Sequence, residues 1–283
     1  LEGSRAYNVS YVYSNQIGNE AGRAIYDGET FIASAGRMLA RGPRFSFQDV
    51  VLTTSNVDLD YTLTSQARSA SYKPELSADQ PEPVRVDFPW KFEERMEIDA
   101  LRQPAWELGQ YVKEEEFTRA IALALLDYLR KSHSNGFVIS LSGGAASSAV
   151  ACLVTYALDL AKAELGEAGL KTKLPFLNQG ENIDIPLLAR VLTCVYQASE
   201  NSSQTTLNAA RGLADALGAR FLNFDVAPLV DGYVSMIEEA LDRKLAWETD
   251  DIALQNIQAR VRASGVWMEA NLQGALLLST SNR

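Results

Sequence analysis

Over the second half of the chain, short apolar runs bounded by turn residues alternate with longer segments of helical periodicity. Phe137-Val-Ile-Ser-Leu141 is apolar enough for a strand buried on both faces. Ser142-Gly-Gly144 breaks it, and a helix is expected over residues 145–161. Residues 189–196, 219–225 and 274–280 read as three further buried strands. Helices are expected between them over 205–217, stopped by Gly218, and over 230–241 and 251–271. Residues 164–188, rich in Gly, Lys and acids, read as irregular surface. A helix over 114–131 precedes the first strand, with Glu114-Glu-Glu116 at its start and Arg130-Lys131 at its end, both matched to the helix dipole. Its core face is expected to carry Phe117, Ile121, Leu125 (or Ala124) and Tyr128. Strands alternating with helices predict an α/β fold, a Rossmann-like parallel sheet with helices on both faces.

The first half reads differently. Residues 7–13, 30–34, 38–40, 50–54 and 57–63 are short β-rich stretches separated by turns, as at the edge of a β-rich or sandwich domain, with a polar loop over 15–22. Residues 65–104 carry five of the nine prolines and little periodicity, so they read as a connecting segment, with one extended piece at 83–89. The expected organisation is a first domain over 1–64, a linker over 65–112 and a second domain over 113–283.

At 283 residues, 47% of them hydrophobic and 22% charged, the composition is that of an ordinary soluble globular protein. A formal charge of −10 argues against a general nucleic-acid or anionic-membrane surface. No run reaches the roughly 18 apolar residues of a membrane span, and no signal peptide opens the chain, which fits a reduced cytoplasmic setting. Cys152 and Cys194 lie in apolar segments and are expected to be buried thiols. The single histidine, His133, argues against a His-based zinc site and against a Ser-His-Asp triad, and reads as a loop residue. Glu20 reads as a loop carboxylate answering Arg23 or Arg41, and Glu114 to Glu116 as a solvated helix start. The chain opens on Leu1-Glu-Gly-Ser-Arg5 and closes on Thr280-Ser-Asn-Arg283, and both ends look like the middle of something longer.

The candidate chemistry lies after the 137–141 strand. Strand, Gly-Gly turn and helix start bring several backbone N–H groups and a positive helix end around one point, a cradle suited to polyphosphate. Ser142, Ser147 and Ser148 add hydroxyl donors. The loop lacks the Lys of the P-loop and the third Gly of the dinucleotide fingerprint, so a plain strand-to-helix turn stays open at this point. Residues 199–203 and 279–282 also fall at strand ends, where open α/β sheets bind ligands.

Ser142-Gly-Gly-Ala-Ala-Ser147 resembles the Ser-Gly-Gly-x-Asp-Ser loop of the ATP pyrophosphatases, with Ala146 where that family has Asp. Asn256-Ile-Gln-Ala-Arg-Val-Arg262 resembles the Asn-Ile-x-Ala-Arg-x-Arg helix of NAD synthetases, and Ser279-Thr-Ser-Asn282 resembles their Gly-Thr-Gly-Asn-type turn. Tyr11-Val-Tyr-Ser-Asn-Gln-Ile-Gly-Asn-Glu20, Tyr26-Asp-Gly28 and Ala33-Ser-Ala-Gly36 look like the last part of a nitrilase-type glutaminase domain, an α/β/β/α sandwich. Together these motifs resemble the glutamine-dependent NAD synthetases. The resemblance implies ATP-dependent amidation of deamido-NAD, with ammonia from glutamine, Mg²⁺ as cofactor and a homo-oligomeric assembly. It implies ATP contacts from Ser140, Leu141, Ser142, Gly143, Gly144, Ala145, Ala146, Ser147 and Thr280, and deamido-NAD contacts from Asn256 and Arg260. The glutaminase Glu–Lys–Cys set would lie upstream of the matched part, so no catalytic residue is assigned. Ala146 brings no carboxylate to Mg²⁺, so weak adenylation is expected. A non-catalytic nucleotide-binding remnant and another ATP pyrophosphatase amidotransferase are the alternatives.

Overall fold

The computed structural model describes residues 1–20, 22–69, 84–87, 89, 103–178, 185–200 and 202–280. The chain divides into two compact units, Leu1–Gly18 with Tyr26–Glu116, and Asn19–Ile25 with Phe117–Arg283.

The first unit opens with α1 (Glu2–Ala6), followed by β1 (Ser10–Ser14). Next along the chain β2 (Ile17–Glu20) pairs with β3 (Ala24–Asp27), replacing the polar loop expected over 15–22, and its inner residues Asn19–Ile25 belong to the second unit. Then β4 (Thr30–Ser34) and β5 (Arg37–Arg41) join β1 in an antiparallel sheet of order β1-β4-β5. Residues 50–54, expected as a strand, form none: Val50 and Leu52 are exposed, and no described strand pairs with them. Residues 57–63 also depart from expectation, lying partly in α2 (Leu59–Arg68). Their period-two alternation has no partner strand among the described residues, whereas the Asp58 side chain accepts from the Tyr61 N–H at 2.9 Å and caps a helix. Residues 84–87 are irregular, and the rest of the proline-rich segment lies largely outside the described residues.

In this unit Glu107, on a single 3-10 turn (Ala105–Leu108), accepts from Arg41 and from Arg44, each at 3.0 Å. Arg44 also donates to Glu116 at 2.9 Å and lies over the Trp106 ring, while Arg41 donates to Glu29 at 2.9 Å. The described end of the expected linker, residues 103–112, is therefore tied to the β-rich unit by charge.

The second unit begins with α3 (Val112–Ser132), which crosses the division, and β6 (Phe137–Ser140). Ala122, Leu123, Leu126 and Leu129 form the buried face of α3. Phe117 and Tyr128 are exposed, so the core face lies about one residue round from the expected one. His133 ends the helix with φ +56, as a loop residue. The buried carboxylate of Asp127 accepts from the Asn19 N–H at 2.7 Å and pairs with Arg130 at 2.7 Å and Lys131 at 2.8 Å. Burial alone would raise its pKa, but the bonds from Lys131, Asn19 and Arg130 outweigh it and hold it below the usual carboxylate value. A depressed folded pKa stabilises above the unfolded value, and that stability is lost as pH falls through the folded one. Asp127→Asn should therefore cost about 1–3 kcal/mol near neutral pH. It should also flatten the acid limb of stability below about pH 4, read from urea melts across pH. An unchanged acid limb would show that Asp127 is not the titrating group.

After β6, α4 (Ala145–Lys173) runs well past the expected end at 161. Gly166 breaks it with φ +69 and ψ 175, and the helix resumes because Leu170 and Leu174 are buried beyond the break. By length and composition α4 is apolar enough to cross a membrane, but Ala151, Val154, Ala157, Leu158 and Ala161 form a buried core stripe. Cys152 points off that stripe and is exposed, contrary to expectation. A turn of helix, α5 (Leu187–Val191), replaces the expected start of the next strand, and β7 (Leu192–Ala198) begins only at Leu192. The remaining elements are α6 (Gln204–Leu217), β8 (Arg220–Asp225), α7 (Ala227–Leu241), α8 (Trp247–Gln273) and β9 (Leu276–Leu278). The α6 helix is capped by the Ser203 side chain and closed by Gly218 in the left-handed region.

The four strands form a parallel sheet of order β8-β7-β6-β9, with Phe137 beside Leu192 and Leu276. One sheet face packs on α8, where Val138 and Val195 meet Val266 and Ala270. Farther along α8, Val261 and Ile257 meet Val226 and Val230 instead. The α/β architecture read from the sequence is the observed one.

Candidate functional site

The chain leaves β6 to form β7 and β8 on one side, then returns to place β9 on the other, so the order reverses at β6. At such a reversal the connecting loops diverge and leave a crevice beyond the strand ends. The 141–147 loop stands at that point. Leu141 is fully buried, and its N–H donates to the Val195 carbonyl at 2.8 Å, which fixes the start of the turn. Gly143 takes φ +79, and a Cβ there would lie 2.4 Å from the Thr206 carbonyl oxygen. Only glycine meets both demands without displacing backbone.

Gly144 is the N-cap of α4 and offers no side chain to the first turn. The opening N–H groups of that helix therefore point outward unpaired, with the positive end of the dipole. Ser147, nearly fully buried, braces the loop: its Oγ accepts from the Ser142 N–H at 3.3 Å and donates to the Gly144 carbonyl at 3.2 Å. The Ser142 hydroxyl accepts from the Gly144 N–H at 3.3 Å. Ser142, Gly144, Ala145 and Ala146 are exposed. The result is a braced turn whose outward donors face solvent, suited to an anion of phosphate type. The loop holds no carboxylate, and the described residues contain no group of three or more His, Cys, Asp and Glu placed to hold a metal. Protein-side ligands for Mg²⁺ are thus missing here, and the residues present do not fit a metal held by this loop.

The α8 face of the sheet brings a second polar group to the same edge. Gln197, near the end of β7, donates from Nε2 to the Ser140 hydroxyl at 3.0 Å, bridging β6 and β7. Its Oε1 is the buried side-chain acceptor without a partner among the described residues. Beyond it, Arg262 donates to the Ser199 hydroxyl at 2.9 Å, and the Ser199 N–H donates to the Ser202 hydroxyl at 2.9 Å. Cys194, deeper in β7, is buried, and burial pushes its thiol up to about 12, which leaves it unreactive.

The structure brings Ser140 through Ser147 together at the crevice, and Thr280, exposed, follows β9 on the neighbouring strand. Ser281 and Asn282 lie outside the described residues. Asn256 and Arg260 are both exposed on α8, on a different face from Arg262. Gln197 and Thr206 carry no signal of a site in the sequence, and Arg262 closes the Asn256–Arg262 motif without a role of its own there. For Arg262 a signal was present: the buried stripe of α8 passes from Leu254 and Val261 to Val266 and Ala270, and residue 262 falls where that stripe turns toward the sheet.

Residues 117–283 match the family model described as NAD synthase. The chain is 33% identical to a glutamine-dependent NAD(+) synthetase of Bos taurus, with 96% of this chain and 41% of the relative covered. It is 31% identical to one of Oryza sativa subsp. indica, covering 93% and 37%. Among solved structures, a glutamine-dependent NAD(+) synthetase from Cytophaga hutchinsonii matches with a TM-score of 0.74 and 35% identity, over 100% of this chain and 42% of that one. An Acinetobacter baumannii enzyme of the same description, solved with ADP, shares the fold at a TM-score of 0.60 and 18% identity, over 99% of this chain and 39% of that one. The chain thus spans about 40% of the length of these relatives.

Proposed function

Because this chain belongs to the NAD synthase family, we propose that its second unit binds ATP at the end of β6 and serves the amidation of deamido-NAD to NAD. The observation that carries the reading is the cradle around Gly143, whose shape no other residue accepts, set at the reversal of strand order. On this reading the N–H groups of Gly143, Ala145 and Ala146 and the hydroxyl of Ser142, itself held by the Gly144 N–H, receive the phosphates. Ser140, Leu141 and Ser147 hold the loop in shape, and Thr280 meets the nucleotide from β9. Asn256 and Arg260 present amide and guanidinium donors to deamido-NAD.

The chemistry is adenylation followed by displacement. A carboxylate oxygen of deamido-NAD attacks the α-phosphorus of ATP, and the α–β bridging bond breaks as pyrophosphate leaves with its electrons. Ammonia then attacks the acyl carbon and AMP departs. The residues of this site contribute position and charge neutralisation rather than a nucleophile. The first unit, read as the last part of a nitrilase-type glutaminase domain, belongs on this reading to the part of the protein that supplies ammonia from glutamine. No catalytic residue is assigned to it.

NAD formation from deamido-NAD and ATP by the full-length protein, with ammonia or glutamine, tests the proposal, and no NAD from either nitrogen source would overturn it. Ala146 favours a second reading, a domain that binds the nucleotide but adenylates slowly. Under it, Ala146→Asp should raise Mg²⁺-dependent pyrophosphate release by about tenfold or more, the scale of one charge-assisted ligand. An unaltered rate would show that the alanine is not the defect.

A further inference from the structure

Arg262 is half-buried at the mouth of the crevice, yet among the described residues its side chain makes one polar contact, with the neutral hydroxyl of Ser199. No described carboxylate is within ion-pair reach of it, whereas the partly buried guanidiniums of Arg41 and Arg44 are answered by Glu29, Glu107 and Glu116. A half-buried cation without a counter-ion is costly to keep, and a cleft that keeps one is built to receive an anion. Its place says which anion. Arg262 stands one helical turn from Gly265, which lies against Gln197, and Gln197 reaches Ser140 at the root of the phosphate cradle. The cradle opens on the side of the sheet where Gly143 abuts α6, and Arg262 comes from α8 on the other. A nucleotide lying over the ends of β6 and β7 would have backbone donors on one flank and this guanidinium on the other.

We propose that Arg262 is the cationic clamp for the pyrophosphate end of the nucleotide, releasing Ser199 to form a forked bond with phosphate oxygens. This rests on the ATP reading above and deepens it. The β- and γ-phosphates carry most of the nucleotide's charge, and the planar fork of Arg matches two phosphate oxygens at once. In a loop where Ala146 supplies no metal ligand, that charge falls to protein donors, and Arg262 is placed to share it.

Calorimetric titration of the protein with ATP, inorganic pyrophosphate and AMP tests the clamp. Arg262→Gln should weaken ATP and pyrophosphate by about 10–100-fold, the range of a lost charge-assisted contact. AMP should change by less than about twofold, because it lacks the clamped group. Ser199→Ala, which only frees the guanidinium, should leave ATP binding at the parent level or tighter. If Arg262→Gln fails to fold, Arg262→Lys decides: it keeps stem and charge but loses the fork, and should weaken pyrophosphate while sparing AMP. Equal losses for AMP and ATP, or no loss for either, would overturn the clamp while the ATP reading stands. A parent protein that binds none of the three would overturn both.

Discussion

Gly143→Ala should abolish high-affinity ATP binding and destabilise the second unit by about 2–4 kcal/mol. Two costs add at this position. The left-handed backbone at φ +79 penalises any side chain by about 1–2 kcal/mol. The new methyl would also stand 2.4 Å from the Thr206 carbonyl oxygen, which belongs to the first turn of α6 and cannot move without shifting that helix. Relief by rotating the loop outward would disperse the outward-facing N–H groups of the turn, so on the ATP reading affinity falls with stability. Urea melts and calorimetry with ATP measure both. Gly212, in the exposed middle of α6 with nothing within 4 Å of where a methyl would stand, is the control. There alanine should stabilise by about 0.5–1 kcal/mol, since it only improves helix propensity. If Gly143→Ala binds ATP like the parent, the cradle is not the nucleotide site.

Glu107→Ala should cost the first unit about 3–5 kcal/mol, the scale for removing one partner of a buried ion pair. The Glu107 side chain is only 6% exposed and is shared by Arg41 and Arg44. Burial works to lower the pKa of Arg44, and the carboxylates of Glu107 and Glu116 more than reverse it. Without Glu107, Arg41 keeps Glu29 and Arg44 keeps Glu116, but the two guanidiniums lose the buried carboxylate they share. Glu2→Ala is the contrast: its pair with Arg5 has both side chains more than two-thirds exposed and should cost less than about 0.5 kcal/mol. Denaturant melts of the two variants measure the difference, and similar small losses would mean that water replaces Glu107 in the network.

Local spacing carried much of the second unit. Strands β6 to β9, the helices between them, the Gly218 stop and the donor-rich turn after Leu141 follow from apolar runs, periodicity and glycine placement, all of which act within a few residues. Errors fell where a local signal had two readings. The alternation at 57–63 fits a strand unless Asp58 caps a helix, and the α3 stripe can be rotated by one residue without changing its period. Cys152 and Cys194 sit in equally apolar surroundings along the chain, and only packing makes one exposed and the other buried.

By itself, then, the order of residues determined a parallel α/β unit with a donor-rich glycine turn after its first strand, because strand, turn and helix propensities are short-range. What the tertiary structure alone decided was which distant groups meet there. Thr206 closes on Gly143, Gln197 reaches Ser140, and Arg262 rather than Arg260 turns toward the strand ends. Those contacts depend on sheet order and on how α8 rotates as its packing passes from α7 to the sheet, and no spacing along the chain encodes that rotation directly.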